Sequence, residues 1–193
     1  MADDTATRDD APATASKRAD VLAQARAALG DAQGEIVGKS VTINKPAAEL
    51  FGYFRDFANL PHFMENVVSI DVRDKAVSHW VVKAPGGKTV EWNARVTDEA
   101  DGQFIAWQAE PGADVENTGR IEFKPAGARG TVVTLELVYD PPVGVVGKLI
   151  AKLFQREPAI QARRDLRRFK QLMETGEIAT PATNQQQFEE MGL

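Results

Sequence analysis

Residues 143–175 read VGVVGKLIAKLFQREPAIQARRDLRRFKQLMET, and this stretch decides the fold. Val146, Leu149, Ile150, Leu153 and Phe154 recur at steps of three and four residues, which puts them on one stripe of a helix. A second stripe runs through Ala162, Leu166, Phe169 and Met173. Pro158 lies between the two. It has no N–H to give to the carbonyl of Phe154, and its ring crowds that carbonyl, so the sequence predicts a kink near 154–158 or two helices in series. Gly176 follows the second stripe, where a left-handed residue closes a helix. The apolar first half is about a dozen residues long, short of the roughly 20 that span a bilayer. Lys148 and Lys152 interrupt it as well.

Working outward, the chain before this stretch reads as short strands. In 36–44, IVGKSVTIN, the residues Val37, Val41 and Ile43 alternate with polar or small ones. Pro46 is placed to open a helix, and Ala47, Leu50, Phe51 and Phe54 follow at i, i+3, i+4 and i+7. Asp56 can cap a second short helix over 57–64, interrupted by Pro61. Six more strands follow: 67–74, 77–84, 89–99, 104–110, 115–125 and 131–139. Pro85-Gly86-Gly87, Asp101-Gly102, Pro111-Gly112 and the 125–130 loop divide them. Consecutive strands on short turns make an antiparallel meander with one apolar face. The class is therefore α+β: a curved antiparallel sheet of about seven strands wrapped around a long C-terminal helix, with two short helices after the first strand. The C-terminal stretch is the only later segment long and apolar enough to cover the open face, so a cavity between sheet and helix is expected.

Composition sets the bounds. The chain has 193 residues, 43% of them apolar, a net charge of -5 and no cysteine. That suits one domain of ordinary size, excludes disulfides and thiolate metal sites, and argues against a nucleic-acid binder. The start, MADDTATRDD, has no apolar stretch of a signal peptide, so a cytoplasmic protein is expected. Residues 1–34 read as a flexible acidic tail in which 16–30 could form a weak helix, 35–177 as the folded domain, and 178–193 as a flexible tail.

Strand alternation puts Trp80, Trp92, Trp107, Phe123, Leu135, Leu137 and Tyr139 on the inner face, with Leu149, Ile150, Leu153 and Phe154 as a lid or back wall. These are the candidate ligand contacts; the competing reading is that they fill the core against each other. A single bulge would reverse the parity. Catalytic residues are left unassigned. His62 and His79 lack the i+3 or i+4 partner of a helical metal site, so no metal and no cofactor is expected. Arg95, Glu91, Tyr139 and His79 are groups that a cyclase could use, but Glu91 and Arg95 alternate with Trp92 and so face away from it. GVVGK at 144–148 is not a phosphate loop, because Pro142 and Leu149 stand where that pattern needs Gly and Ser or Thr. Arg156, Arg163, Arg164, Arg167, Arg168 and Lys170 form a basic run. Arg164 and Arg168 oppose the Leu166, Phe169 and Met173 stripe and should be solvated; attachment to a membrane or ribosome through Arg163, Arg164, Arg167 and Arg168 is the alternative, and no DNA partner is expected.

The stretches DFANLPHFMENVVSIDV (56–72), WVVKAPGGKTVEW (80–92), IAWQAEPGADVENTGRIEFKP (105–125), GTVVTLELVYDPPVG (130–144) and RRFKQLMETGE (167–177) resemble the START-like superfamily, the helix-grip fold. Within it they resemble the polyketide cyclase/dehydrase branch, which includes coenzyme Q-binding START-like proteins. The likeness covers 35–177. It implies a hydrophobic small molecule (lipid, isoprenoid quinone or polyaromatic) bound or carried between sheet and C-terminal helix. It also implies two alternatives: an enzyme of the polyketide cyclase, aromatase or dehydrase type, or an interaction module at a membrane or ribosome, since relatives act in each way.

Overall fold

The structure, a computed structural model, describes residues 35–84, 87–140 and 158–178. The expected 16–30 helix, the stripe Val146–Phe154 and nearly all of the expected C-terminal tail lie outside the described residues. Seven strands form one sheet: β1 (Glu35–Ile43), β2 (Val67–Val72), β3 (Val77–Ala84), β4 (Lys88–Ala100), β5 (Phe104–Ala109), β6 (Glu116–Pro125) and β7 (Thr131–Asp140). Their order is β1-β7-β6-β5-β4-β3-β2, with antiparallel pairing throughout. Strands β2 to β7 are thus a meander, and β1 closes against the last strand, with Val37 opposite Leu137 and Val41 opposite Val133.

The chain crosses from one edge of the sheet to the other through α1 (Ala47–Arg55) and a 3-10 turn (Phe57–His62). Pro46 sits in extended backbone just ahead of α1, and the Asp56 carboxylate accepts from the Ala58 N–H at 3.3 Å, starting the turn. The second helix, α2, runs Pro158–Thr175. Pro158 therefore opens a helix, where its missing N–H is no loss. Gly176 ends it at φ 78, its N–H donating to the Leu172 carbonyl at 2.8 Å. Ile178, just past α2, packs on the core.

The C-terminal half of α2 lies along β1. The Lys170 ammonium donates to the Thr42 carbonyl at 2.6 Å, and the Asn44 N–H donates to the Glu174 carboxylate at 2.6 Å. Phe169 is fully buried there, stacked on Phe63 at 4.8 Å and edge-on to Phe54 at 5.8 Å. This aromatic cluster fills one end of the space between sheet and helix, which leaves the other end as the place for a cavity.

Candidate functional site

That other end holds a cavity of about 180 Å³. Its floor is the inner face of the sheet, and its remaining walls come from α1, the 3-10 turn and the first turns of α2. Alternation on β3 and β4 turns Trp80 and Trp92 inward at a matched register position. Their indoles stack, with centroids 6.1 Å apart and planes 9° from parallel, and Phe57 leans on Trp80 at 6.2 Å. Trp107 comes from β5 and lies across Gly119 of β6, directly opposite it. A Cβ at Gly119 would overlap the indole, so glycine is the seat that lets Trp107 lie flat on the sheet. Leu135 and Leu137 complete the floor.

The bulges do not disturb this arrangement. One falls between Val67 and Ser69 of β2 and the other between Val96 and Asp98 of β4, beyond Trp92 in the chain.

The polar groups on the wall are Asn66, Ser78, Asn117, Gln161 and Asp165. Ser78 and Asn117 are engaged: the Trp80 indole N–H donates to the Ser78 hydroxyl at 2.9 Å, and the Asn117 amide donates to the Val115 carbonyl at 3.0 Å. Among the described residues of the wall, Asp165 is the ionisable group. It is only 8% exposed, and its Oδ1 accepts from the Gln161 Nε2 at 2.9 Å. Burial pushes its carboxyl up to about 6; the Gln161 hydrogen bond, the Glu65 backbone N–H and the Arg168 charge act in the opposite direction.

Trp80, Trp92, Trp107, Leu135 and Leu137 are therefore brought together on one wall. Phe123 is not on it. It faces inward, but it is 2% exposed and packs edge-on to Phe51 and Phe54 within the aromatic cluster. Parity fixes which face a residue takes, whereas its position along the strand decides between cluster and cavity. Tyr139 pairs with Glu35 and Asn117 by register, and its side chain is not among those described. Leu149, Ile150, Leu153 and Phe154 lie outside the described residues.

The groups considered for catalysis are elsewhere. His79, Glu91 and Arg95 are on the outer face: His79 contacts the Asn93 amide oxygen at 3.0 Å, and Arg95 pairs with Glu110 at 2.7 Å. His62 is exposed, 3.3 Å from the Tyr53 hydroxyl. On α2, Arg163, Arg164 and Arg167 are exposed. Arg168 corrects the expectation of a solvated side chain: it is half-buried, and its Nε is buried without a partner among the described residues. The reason is that the buried stripe is wider than its apolar members. Asp165 lies three residues after Ala162 and four before Phe169, so it belongs to the stripe and carries Arg168 onto its flank. The same spacing could have revealed Asp165 in the sequence, as one acid at a core position inside a basic run.

An antiparallel sheet curled against a C-terminal helix, with an apolar cavity between them, defines the START-like, helix-grip class. Residues 36–174 match the family described as polyketide cyclase / dehydrase and lipid transport, and the chain belongs to that family. The chain is similar to a Deinococcus radiodurans protein of known crystal structure, with 41% identity and a TM-score of 0.61 over 74% of this chain and 99% of that one. The fold alone is shared with two others. A START superfamily protein of Mycobacterium smegmatis has 18% identity and a TM-score of 0.51 over 68% of this chain and 98% of its own. An aromatase/cyclase of Streptomyces sp. R1128 has 13% identity and a TM-score of 0.59 over 75% of this chain and 99% of its own. No helix among the described residues is long and apolar enough to cross a membrane.

Proposed function

We propose that this protein binds or carries a hydrophobic small molecule in the cavity between sheet and α2. The observation that carries the reading is the wall: all three tryptophans of the chain converge on one apolar cavity. Family membership supports it. A space of about 180 Å³ is somewhat larger than a cavity known to hold benzene. The fitting group is one ring of a quinone or aromatic compound, or one segment of a lipid chain. Driving force comes from desolvation: removing about 150 Å² of apolar ligand surface from water contributes roughly 4 kcal/mol before the cost of immobilising the ligand.

The tryptophans supply the assay. Titration with a long-chain alcohol, a short-chain ubiquinone and an alkylbenzene should give a saturable change in intrinsic fluorescence for at least one of them. Trp92→Ala should weaken that binding about tenfold or more. Unsaturable responses to all three probes, or a Trp92→Ala variant that binds like wild type, would sink the reading.

One observation favours a second reading, an enzyme of the cyclase or dehydrase type. Asp165 puts a titratable carboxylate on the cavity wall. On this reading it takes a proton from a carbon flanked by carbonyls, that carbon adds to a ketone of the same chain and closes the ring, the proton passes to the new alkoxide, and a second proton taken from the same carbon leaves with that hydroxyl as water. Incubation with a poly-β-ketone thioester tests it: ring formation by wild type and not by Asp165→Asn is the expected result, and no product with either excludes it for that substrate class.

A further inference from the structure

We propose that Asp165 makes the cavity select apolar ligands that carry a hydroxyl or another hydrogen-bond donor over equally apolar ligands that carry only acceptors. The inference rests on the binding reading above and specifies the class of molecule the cavity takes.

Along the sheet the wall is apolar but for Ser78 and Asn117, both already hydrogen-bonded, and beside α2 it is polar. Gln161 and Asp165 come from consecutive turns of that helix, and the Glu65 N–H that faces Asp165 belongs to the residue just before Asn66, also on the wall. The ionised carboxylate at this pole only accepts, with about four lone-pair sites on two oxygens. Among the described residues, its hydrogen bond comes from the Gln161 amide, and the Glu65 N–H faces it. Accepting capacity is therefore left over, on a group that is 8% exposed and borders an apolar space. The Gln161 amide gives one of its two N–H groups to Asp165, which leaves Gln161 its carbonyl oxygen and one N–H.

A ligand hydroxyl meets that need. A ketone or ether oxygen in the same place would set lone pair against lone pair and leave the carboxylate unsatisfied as water is expelled. The aromatic wall would hold the ring in either case, so discrimination comes from the polar end alone.

The test is calorimetric titration of the whole chain at pH 7.5 with three one-ring probes of matched size: 4-propylphenol, 4-propylanisole and 4-methylacetophenone. The expected result is that the phenol binds about tenfold or more tightly than the other two. In Asp165→Leu, which keeps the bulk and removes the acceptor, the three should converge to within about threefold. Equal binding of the three probes by wild type overturns the selection and leaves the apolar cavity reading standing. Failure of all three to bind overturns both. A phenol preference that survives in a folded Asp165→Leu protein assigns it to another group and overturns the role of Asp165. The wild-type comparison decides the selection even where Asp165→Leu does not fold; the role of Asp165 is then read from Asp165→Asn, in which an unchanged phenol preference overturns it.

Discussion

Replacing Asp165 by Asn should make this protein about 1 kcal/mol more stable at neutral pH and about 1.5 kcal/mol less stable in acid. Burial holds the Asp165 carboxyl near 6 against an ordinary 3.8, so the native state binds its proton more tightly than the unfolded chain does. The sign follows from linkage. Below the unfolded value both states are protonated and no penalty exists; the penalty grows as pH rises through 4 to 6 and is complete above 6. At about 1.4 kcal/mol for each tenfold change in proton affinity, the full penalty is about 3 kcal/mol at pH 7.5 and about 0.5 kcal/mol at pH 4. Asn has the same shape and never ionises. Its own losses, imperfect hydrogen bonds to Gln161 and the Glu65 N–H at about 1 kcal/mol each, hardly depend on pH. Arg168 and Glu65, the other charges that act on Asp165, are present in both proteins. Urea unfolding of wild type and variant at pH 4.0, 5.0, 6.0 and 7.5 isolates the ionisation. The difference in unfolding free energy should move by about 2.5 kcal/mol in favour of Asn between the extremes, mostly between pH 4 and 6. Parallel pH profiles would refute the reasoning, because they would mean that Asp165 is no harder to ionise in the folded protein than in the unfolded one.

Three further outcomes are expected. Gly119→Ala places a methyl against the Trp107 indole and should destabilise by about 1–3 kcal/mol while driving that ring into the cavity, visible as a shifted tryptophan emission and weaker probe binding. Phe169→Ala empties the centre of the aromatic cluster and should cost about 3–5 kcal/mol in urea, since the ring is fully buried and stacked on Phe63. Arg95→Ala breaks an exposed pair with Glu110 on the outer face and should change the unfolding free energy by less than about 1 kcal/mol, leaving probe affinity unaltered.

The strands were legible because each one is a short alternating run bounded by Gly, Pro or Asp, and alternation registers the two-residue period of a pleated strand. The same period put Trp80, Trp92 and Trp107 on a common face. It said nothing about distance along the strands, and so Phe123 looked like a cavity residue although it lies in the packed end. The basic run was harder to read. Hydrophobic spacing marked Ala162, Leu166, Phe169 and Met173, but an acid on a buried stripe does not register as apolar, so Asp165 and its effect on Arg168 were missed. The polar wall residues Asn66, Ser78 and Asn117 carry no local signal; only the curvature of the sheet brings them to one space.

Strand β1 finds its partner at the far end of the domain, pairing with β7 from Ile43–Thr131 at the near end to Glu35–Tyr139 at the other. Closing that pair fixes a loop of roughly a hundred residues, and loop entropy must be met before its contacts form. The meander from β2 can zip hairpin by hairpin, but the sheet stays two strands short, β7 and β1, until the last strand exists. During synthesis β1 is therefore made first and paired last, and the emerging chain carries an unsatisfied strand until β7 has left the ribosome. For a protein built this way, the vulnerable interval for aggregation is set by translation time rather than by intrinsic folding speed.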